Sequence, residues 1–175
     1  MHLDHEINRF VVRWWQKYES ENPTEVFDKF FAIWLILVAL ARADENENTG
    51  KRVDSDTALV ESFFRRNSQK IAEALHTDQA RLKSLAGRRG DGHGNTTIDA
   101  PTKYRDRIRA LSQSVIAGST LNSRDISTLG CVFSLIRNNL FHGRKIYDSA
   151  RDKELLAIVT PLIAHVVSIF WQPSR

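Results

Sequence analysis

The stretch SRDISTLGCVFSLIRNNLFHG, residues 123–143, decides the fold of this chain. Its large apolar residues recur every three or four positions, which is the spacing of one face of an α-helix. They are Ile126, Leu129, Val132, Phe133, Ile136 and Leu140. Ser123 is of a type that caps helix N-termini, and Gly143 stands where a C-terminal cap belongs. The stretch therefore predicts one amphipathic helix from about Arg124 to His142.

The opposite side of this helix carries small residues. They are Ser127, Cys131, Ser134 and Asn138, spaced four, three and four positions apart. A solvated helix face usually carries Lys, Glu or Arg instead. We therefore expect this small-residue stripe to contact another helix, either of the same chain or of a second subunit.

Helical spacing extends over most of the remaining chain. Further helices are predicted near residues 7–18, 22–42, 55–75 with a break near Asn67, 77–85, 104–118 and 149–171. The segments at about 43–54 and 87–102 are rich in polar residues or glycine and are predicted to be flexible loops. The sequence thus predicts a single all-α domain over residues 1–175, an up-and-down bundle of five to seven helices.

The composition is that of a soluble globular protein, with 42% apolar and 26% charged residues. A lone cysteine, Cys131, excludes an intramolecular disulfide and a Cys-based zinc site, and it suits a reducing compartment. The N-terminus has no signal-peptide pattern, and the longest apolar run, Ala32–Ala41, is too short to cross a bilayer. We expect a cytoplasmic protein that does not enter a membrane.

The charge balance is basic, because 25 Lys and Arg residues face 21 Asp and Glu residues. Most of these cations are arginines, whose planar guanidinium pairs well with phosphate oxygens. The bias favours a nucleic-acid or nucleotide partner, but it does not identify one.

The end of the predicted helix, RNNLFHG at residues 137–143, has an unusual composition, since Asn is a weak helix former. A histidine in the last turn of a helix is stabilised by the helix dipole and needs no function. The spacing of Arg137 and His142 is also weak, because Arg88 and His93 repeat it inside the glycine-rich loop. What distinguishes the first pair is that it closes a well-formed helix.

The sequence IRNNLFHGRK, residues 136–145, resembles the signature of the HEPN superfamily (higher eukaryotes and prokaryotes nucleotide-binding). That motif is an Arg, a polar residue, three variable positions and a His. The resemblance implies a HEPN-like helical fold and a metal-independent endoribonuclease, in several members a toxin or an antiviral defence effector. It implies Arg137, Asn138 and His142 as the catalytic set, with no metal or cofactor.

These residue types suit RNA cleavage, because RNA supplies its own nucleophile, the 2′-OH. Histidine can transfer the proton, and a guanidinium can stabilise the charge on the phosphate. One chain supplies one such histidine, whereas the reaction needs a base and an acid. We therefore expect a homodimer in which two copies of this helix face each other across the small-residue stripe, which the resemblance also implies. An antitoxin protein is a further expected partner.

Four more cations are candidates for RNA binding, each with a solvated connection or a plain linker as the alternative. They are Arg144, Lys145, Arg88 and Arg89. The loop that holds the last two lacks the preceding strand and the Gly-Lys-Ser/Thr ending of a P-loop. His165 lies in a mostly apolar helix and is expected to be structural, and no Ser-His-Asp arrangement can be argued.

Two other functions remain open from the sequence. One is a non-catalytic HEPN-like module that binds nucleotide, RNA or protein beside an antitoxin. The other is an unrelated helical interaction protein in which RNNLFHG is a coincidence.

Overall fold

A computed structural model describes residues 3–20, 26–50, 53–87, 102–141 and 150–172, and these form an all-α bundle. The helices are α1 His5–Glu19, α2 Val26–Asn48, α3 Asp56–Arg66, α4 Ser68–Leu75, α5 Gln79–Gly87, α6 Thr102–Ile116, α7 Ser123–Phe141 and α8 Ala150–Phe170. Because only Asn67 separates α3 from α4, the pair can be counted as one broken helix, which gives seven in the described residues. The predicted all-α fold and the break near Asn67 are confirmed.

The helix predicted from residues 123–143 lies at the centre of the bundle. It is α7, which packs against α3, α4 and α6, and every residue from Asp125 to Ile136 is buried. The six apolar residues that define its core face are all buried. α2 is the other central helix and packs against α1, α3 and α8. The spacing of apolar residues therefore placed the core of α7 correctly.

α7 approaches α3 closely at Gly130. A Cβ atom added there would lie 2.8 Å from Cγ of Phe64, which is shorter than a normal carbon contact. The ring of Phe64 in turn meets the ring of Phe133 edge-on, with 5.8 Å between centroids. Glycine at this position thus lets the two helices pack at a distance that any larger residue would increase.

The predicted flexible loop at 43–54 is wrong in its first half, because α2 continues to Asn48. Asp44 and Glu45 are buried, and Nη2 of Arg66 lies 2.6 Å from a carboxylate oxygen of each. These carboxylates look like linker residues in the sequence because the cation that pairs with them is more than twenty positions away. Most of the other predicted loop, residues 88–101, lies outside the described residues.

The start of α7 differs by one residue from the prediction that Ser123 caps it. The side-chain oxygen of Asn122 accepts hydrogen bonds from the backbone N–H groups of Arg124 and Asp125. The carboxylate of Asp125 accepts one from the backbone N–H of Asn122. This reciprocal arrangement is a capping box, and it fixes where α7 begins.

α8 is long and apolar enough to cross a membrane by length and composition, over Asp152–Phe170. In the bundle it packs against α2, α4 and α5, and it continues through Pro161. A central helix of a soluble protein has the same composition, so the structure is compatible with a soluble protein.

Candidate functional site

The end of α7 holds two of the three residues predicted to be catalytic. Arg137 and Asn138 are half-buried there, and α7 ends at Phe141. His142, the third predicted residue, lies outside the described residues. The candidate RNA-binding cations Arg144, Lys145, Arg88 and Arg89 lie outside them as well.

A short chain of side-chain hydrogen bonds holds Arg137 and Asn138 in place. Nη1 of Arg137 donates to Oδ1 of Asn138 across 3.1 Å. Nδ2 of Asn138 donates to Oγ1 of Thr57 across 3.4 Å. The amide thus has its oxygen toward the guanidinium and its nitrogen toward the threonine. Thr57 is a site residue that the sequence analysis missed, because nothing in its local pattern links it to a position 81 residues later.

The backbone around this chain is also well ordered by local chemistry. Thr57 lies in the first turn of α3, where the hydroxyl of Ser55 accepts the backbone N–H of Ala58. The N-terminal turn of α3 therefore meets the C-terminal end of α7, so that opposite ends of two helix dipoles are neighbours. A cation at the end of α7, such as Arg137, is favoured by the same dipole.

The small-residue stripe contacts α3 of the same chain. Its first residue, Ser127, lies 3.4 Å from a carboxylate oxygen of Glu61, and its last, Asn138, bonds to Thr57. Ser127, Cys131 and Ser134 are buried. Of the two contacts predicted for the stripe, the one within the chain is present. The expectation that a second subunit packs along the stripe is wrong, because α3 occupies it.

A second polar cluster lies on the far side of the bundle and was not foreseen. Nδ1 of His165 lies 2.6 Å from Oδ2 of Asp78, and Arg81 pairs with the other oxygen of that carboxylate. Asp78 is only 6% exposed. Burial opposes its ionisation, but the hydrogen bonds from His165 and Arg81 outweigh this and hold the pKa of Asp78 below its ordinary value. His165 thus joins α8 to α5, which agrees with the structural role expected for it.

The buried carboxylates at the end of α2 behave in the same way. The hydroxyl of Thr49 donates to Glu45 across 2.7 Å, and this bond together with Arg66 holds the pKa of Glu45 below its ordinary value despite burial. Asp44 also accepts from Asn67 across 3.3 Å. Every partner here is a side chain of α2, α3 or the residues directly after them, so the cluster stabilises the fold.

A groove of about 730 Å³ lies between α4, α5 and the connection from α6 to α7. Most of its lining side chains are polar, and Ser123 at the start of α7 is one of them. Arg137 is fourteen residues further along α7, which is about 21 Å at 1.5 Å per residue. The groove is therefore separate from the Arg137 site.

Among the side chains that the structure describes, no three His, Cys, Asp or Glu residues are close enough to hold a metal ion. No protein-family model matches the chain, and no curated protein and no solved structure matches it. The likeness to the HEPN superfamily therefore rests on the ten residues of the motif and on the helical pattern around them.

Proposed function

We propose that this protein is an endoribonuclease of HEPN type that cleaves RNA without a metal ion by attack of the 2′-OH on the adjacent phosphate. The observation that supports this most directly is the hydrogen bond between Arg137 and Asn138 at the end of a buried helix. In the sequence His142 follows one helical turn after Asn138, and it completes the motif.

In the proposed reaction, Arg137 stabilises the negative charge that develops on the phosphate oxygens. Asn138 accepts a hydrogen bond from the guanidinium and is itself bonded to Thr57. Its role is to fix the orientation of Arg137 before RNA binds, so that little reorganisation is needed in the transition state. His142 transfers the proton from the 2′-OH or to the leaving 5′-oxygen. The products are a 2′,3′-cyclic phosphate and a 5′-OH.

Two histidines are needed if one acts as base and the other as acid, so we propose that the active form is a two-fold dimer. Since α3 covers the small-residue stripe, the dimer contact involves the C-terminal ends of the two α7 helices. This differs from packing along the length of α7. Light scattering at micromolar concentration tests it, and a strictly monomeric active protein would contradict this part of the proposal.

The decisive experiment compares two His→Ala variants on total RNA in the presence of EDTA. We expect His142→Ala to reduce cleavage by at least about 100-fold, since acid–base catalysis contributes 10²–10⁴-fold. His76→Ala is the matched control, because His76 is exposed and its ring makes none of the site contacts. We expect it to cleave like the wild type, and mass spectrometry should find 2′,3′-cyclic phosphate ends.

Cleavage that is equal in the wild type and His142→Ala would exclude His142 as the catalyst. No cleavage by a dimeric wild-type protein would favour the non-catalytic module instead. A toxin or defence role is tested separately by expression in a bacterial host. A growth defect that His142→Ala relieves and His76→Ala does not would support it.

A further inference from the structure

α1 covers its apolar face only in part. The helix is amphipathic, yet among its residues Val11 alone is fully buried. Phe10 is 39% exposed, and Trp14 is half-buried between the rings of Phe10 and Phe31, at centroid distances of 6.1 and 6.0 Å. Exposed aromatic rings on a helix that is otherwise well attached indicate a contact surface.

A line of cations runs beside these rings. Arg9, Arg13 and Lys17 are four positions apart, so they follow one another along the helix at intervals of about 6 Å. All three are exposed, and Nζ of Lys17 lies 5.2 Å from the centroid of the Trp14 ring. The only acidic side chain on this side of the helix, Glu6, precedes the line by almost one turn. We call Phe10, Trp14 and the three cations the α1 surface.

We propose that the α1 surface binds single-stranded nucleic acid. Cations in a row can follow a chain of phosphates, and neighbouring aromatic rings can stack on bases, which is how proteins bind single strands without reading their sequence. A second copy of this chain is a poor partner, because two such rows would repel each other. A membrane is also disfavoured, since the apolar side of α1 packs on α2 and α8 and only the edge at Phe10 and Trp14 faces solvent.

This surface is distinct from the Arg137 site, and its proposed activity does not require catalysis. The binding test therefore uses the full chain with His142→Ala as background, so that RNA stays intact. The probe is a fluorescein-labelled 20-nucleotide oligouridine, and fluorescence anisotropy is measured at several salt concentrations. The double variant Arg9→Gln with Arg13→Gln removes two cations from the α1 surface. The matched control is Arg65→Gln with Arg124→Gln, which removes two exposed cations elsewhere.

Each phosphate contact on a single strand contributes about 0.7 to the slope of log K against log salt. We expect the α1 double variant to lower the magnitude of this slope by about 1.4 and the control to leave it nearly unchanged. Phe10→Leu keeps an apolar side chain but removes the ring. It should weaken binding about 5-fold or more if bases stack there, because stacking on one ring is worth at least that much.

Three results would overturn the proposal. One is an equal loss of affinity in both double variants, which would mean that only net charge matters. Another is tighter binding to duplex RNA than to the single strand, since paired bases cannot stack on Phe10. The third is binding to vesicles containing phosphatidylserine with no binding to oligouridine. Cleavage by the wild type is scored separately, so failure of this inference and failure of the proposed nuclease are distinguishable.

Discussion

The ends of α2 and α7 both pack against α3, and each brings an arginine together with polar side chains, but the partners differ. At the end of α2, Arg66 is held between the buried carboxylates of Asp44 and Glu45. At the end of α7, Arg137 is held by the amide of Asn138. A carboxylate cancels the charge of a guanidinium, whereas a neutral amide orients the guanidinium and leaves its charge in place. The first arrangement suits stability, and the second suits binding of an anion.

The largest effect is expected at the charged cluster. Arg66→Ala should lower the free energy of unfolding by about 3–5 kcal/mol, because it leaves two buried carboxylates without their cation. Arg65→Ala is the matched control, since Arg65 is the exposed neighbour, and it should change stability by less than about 0.5 kcal/mol. Urea denaturation measures both. Similar values for the two variants would mean that the cluster at α2 is not stabilising.

The Asp78 carboxylate sharpens the same half of the comparison through its dependence on pH. Asp78→Asn should cost about 1.5–3 kcal/mol at neutral pH through weaker bonds to His165 and Arg81. Because the pKa of Asp78 is lowered in the folded protein, its contribution is present above the ordinary pKa near 4 and is lost as pH falls through the folded value. The gap in stability between wild type and variant should therefore narrow below about pH 4. A gap that widens on acidification would contradict this assignment.

Both arrangements depend on α3, and Gly130 tests how closely α7 must approach it. Gly130→Ala places a methyl group against Phe64 and should destabilise the protein by about 1–3 kcal/mol through overpacking. Gly87→Ala is the control, because nothing lies within 4 Å of the added methyl group. It should be neutral or slightly stabilising by thermal denaturation. Equal melting temperatures for the two variants would show that the contact can relax.

The smallest stability effect, but an informative one, is expected where Thr57 holds Asn138. Thr57→Val removes the hydroxyl while keeping the shape, and it should cost about 0.5–1.5 kcal/mol. If Asn138 orients Arg137 for the proposed reaction, kcat should fall about 10-fold while KM changes little, because the contact acts on the transition state. Thr57→Ser keeps the hydroxyl and should restore kcat. A kcat that stays at the wild-type level in the valine variant would break the second half of the comparison.

The parts of this structure that could be predicted are those set by neighbours in the sequence. The core face of α7 follows from a repeat of three and four, and the adjacency of Arg137 and Asn138 is given by the chain itself. The true end of α2 was missed because Asp44 and Glu45 are paired with Arg66, which is distant in sequence. The contact of Asp78 with His165 spans 87 positions and leaves no local signal. For the same reason Thr57 could not be assigned to the site, although the half-buried edge position of Arg137 was expected.

The burial of Cys131 gives a direct way to observe how the two helices separate. It is the only thiol in the chain, it is fully buried, and it belongs to the stripe that packs on α3. A thiol-specific reagent can react only when this region opens, so the rate of alkylation in native buffer reports local or global unfolding of the α3–α7 pair. The same measurement with RNA present would show whether substrate slows that opening, without a label attached to the site.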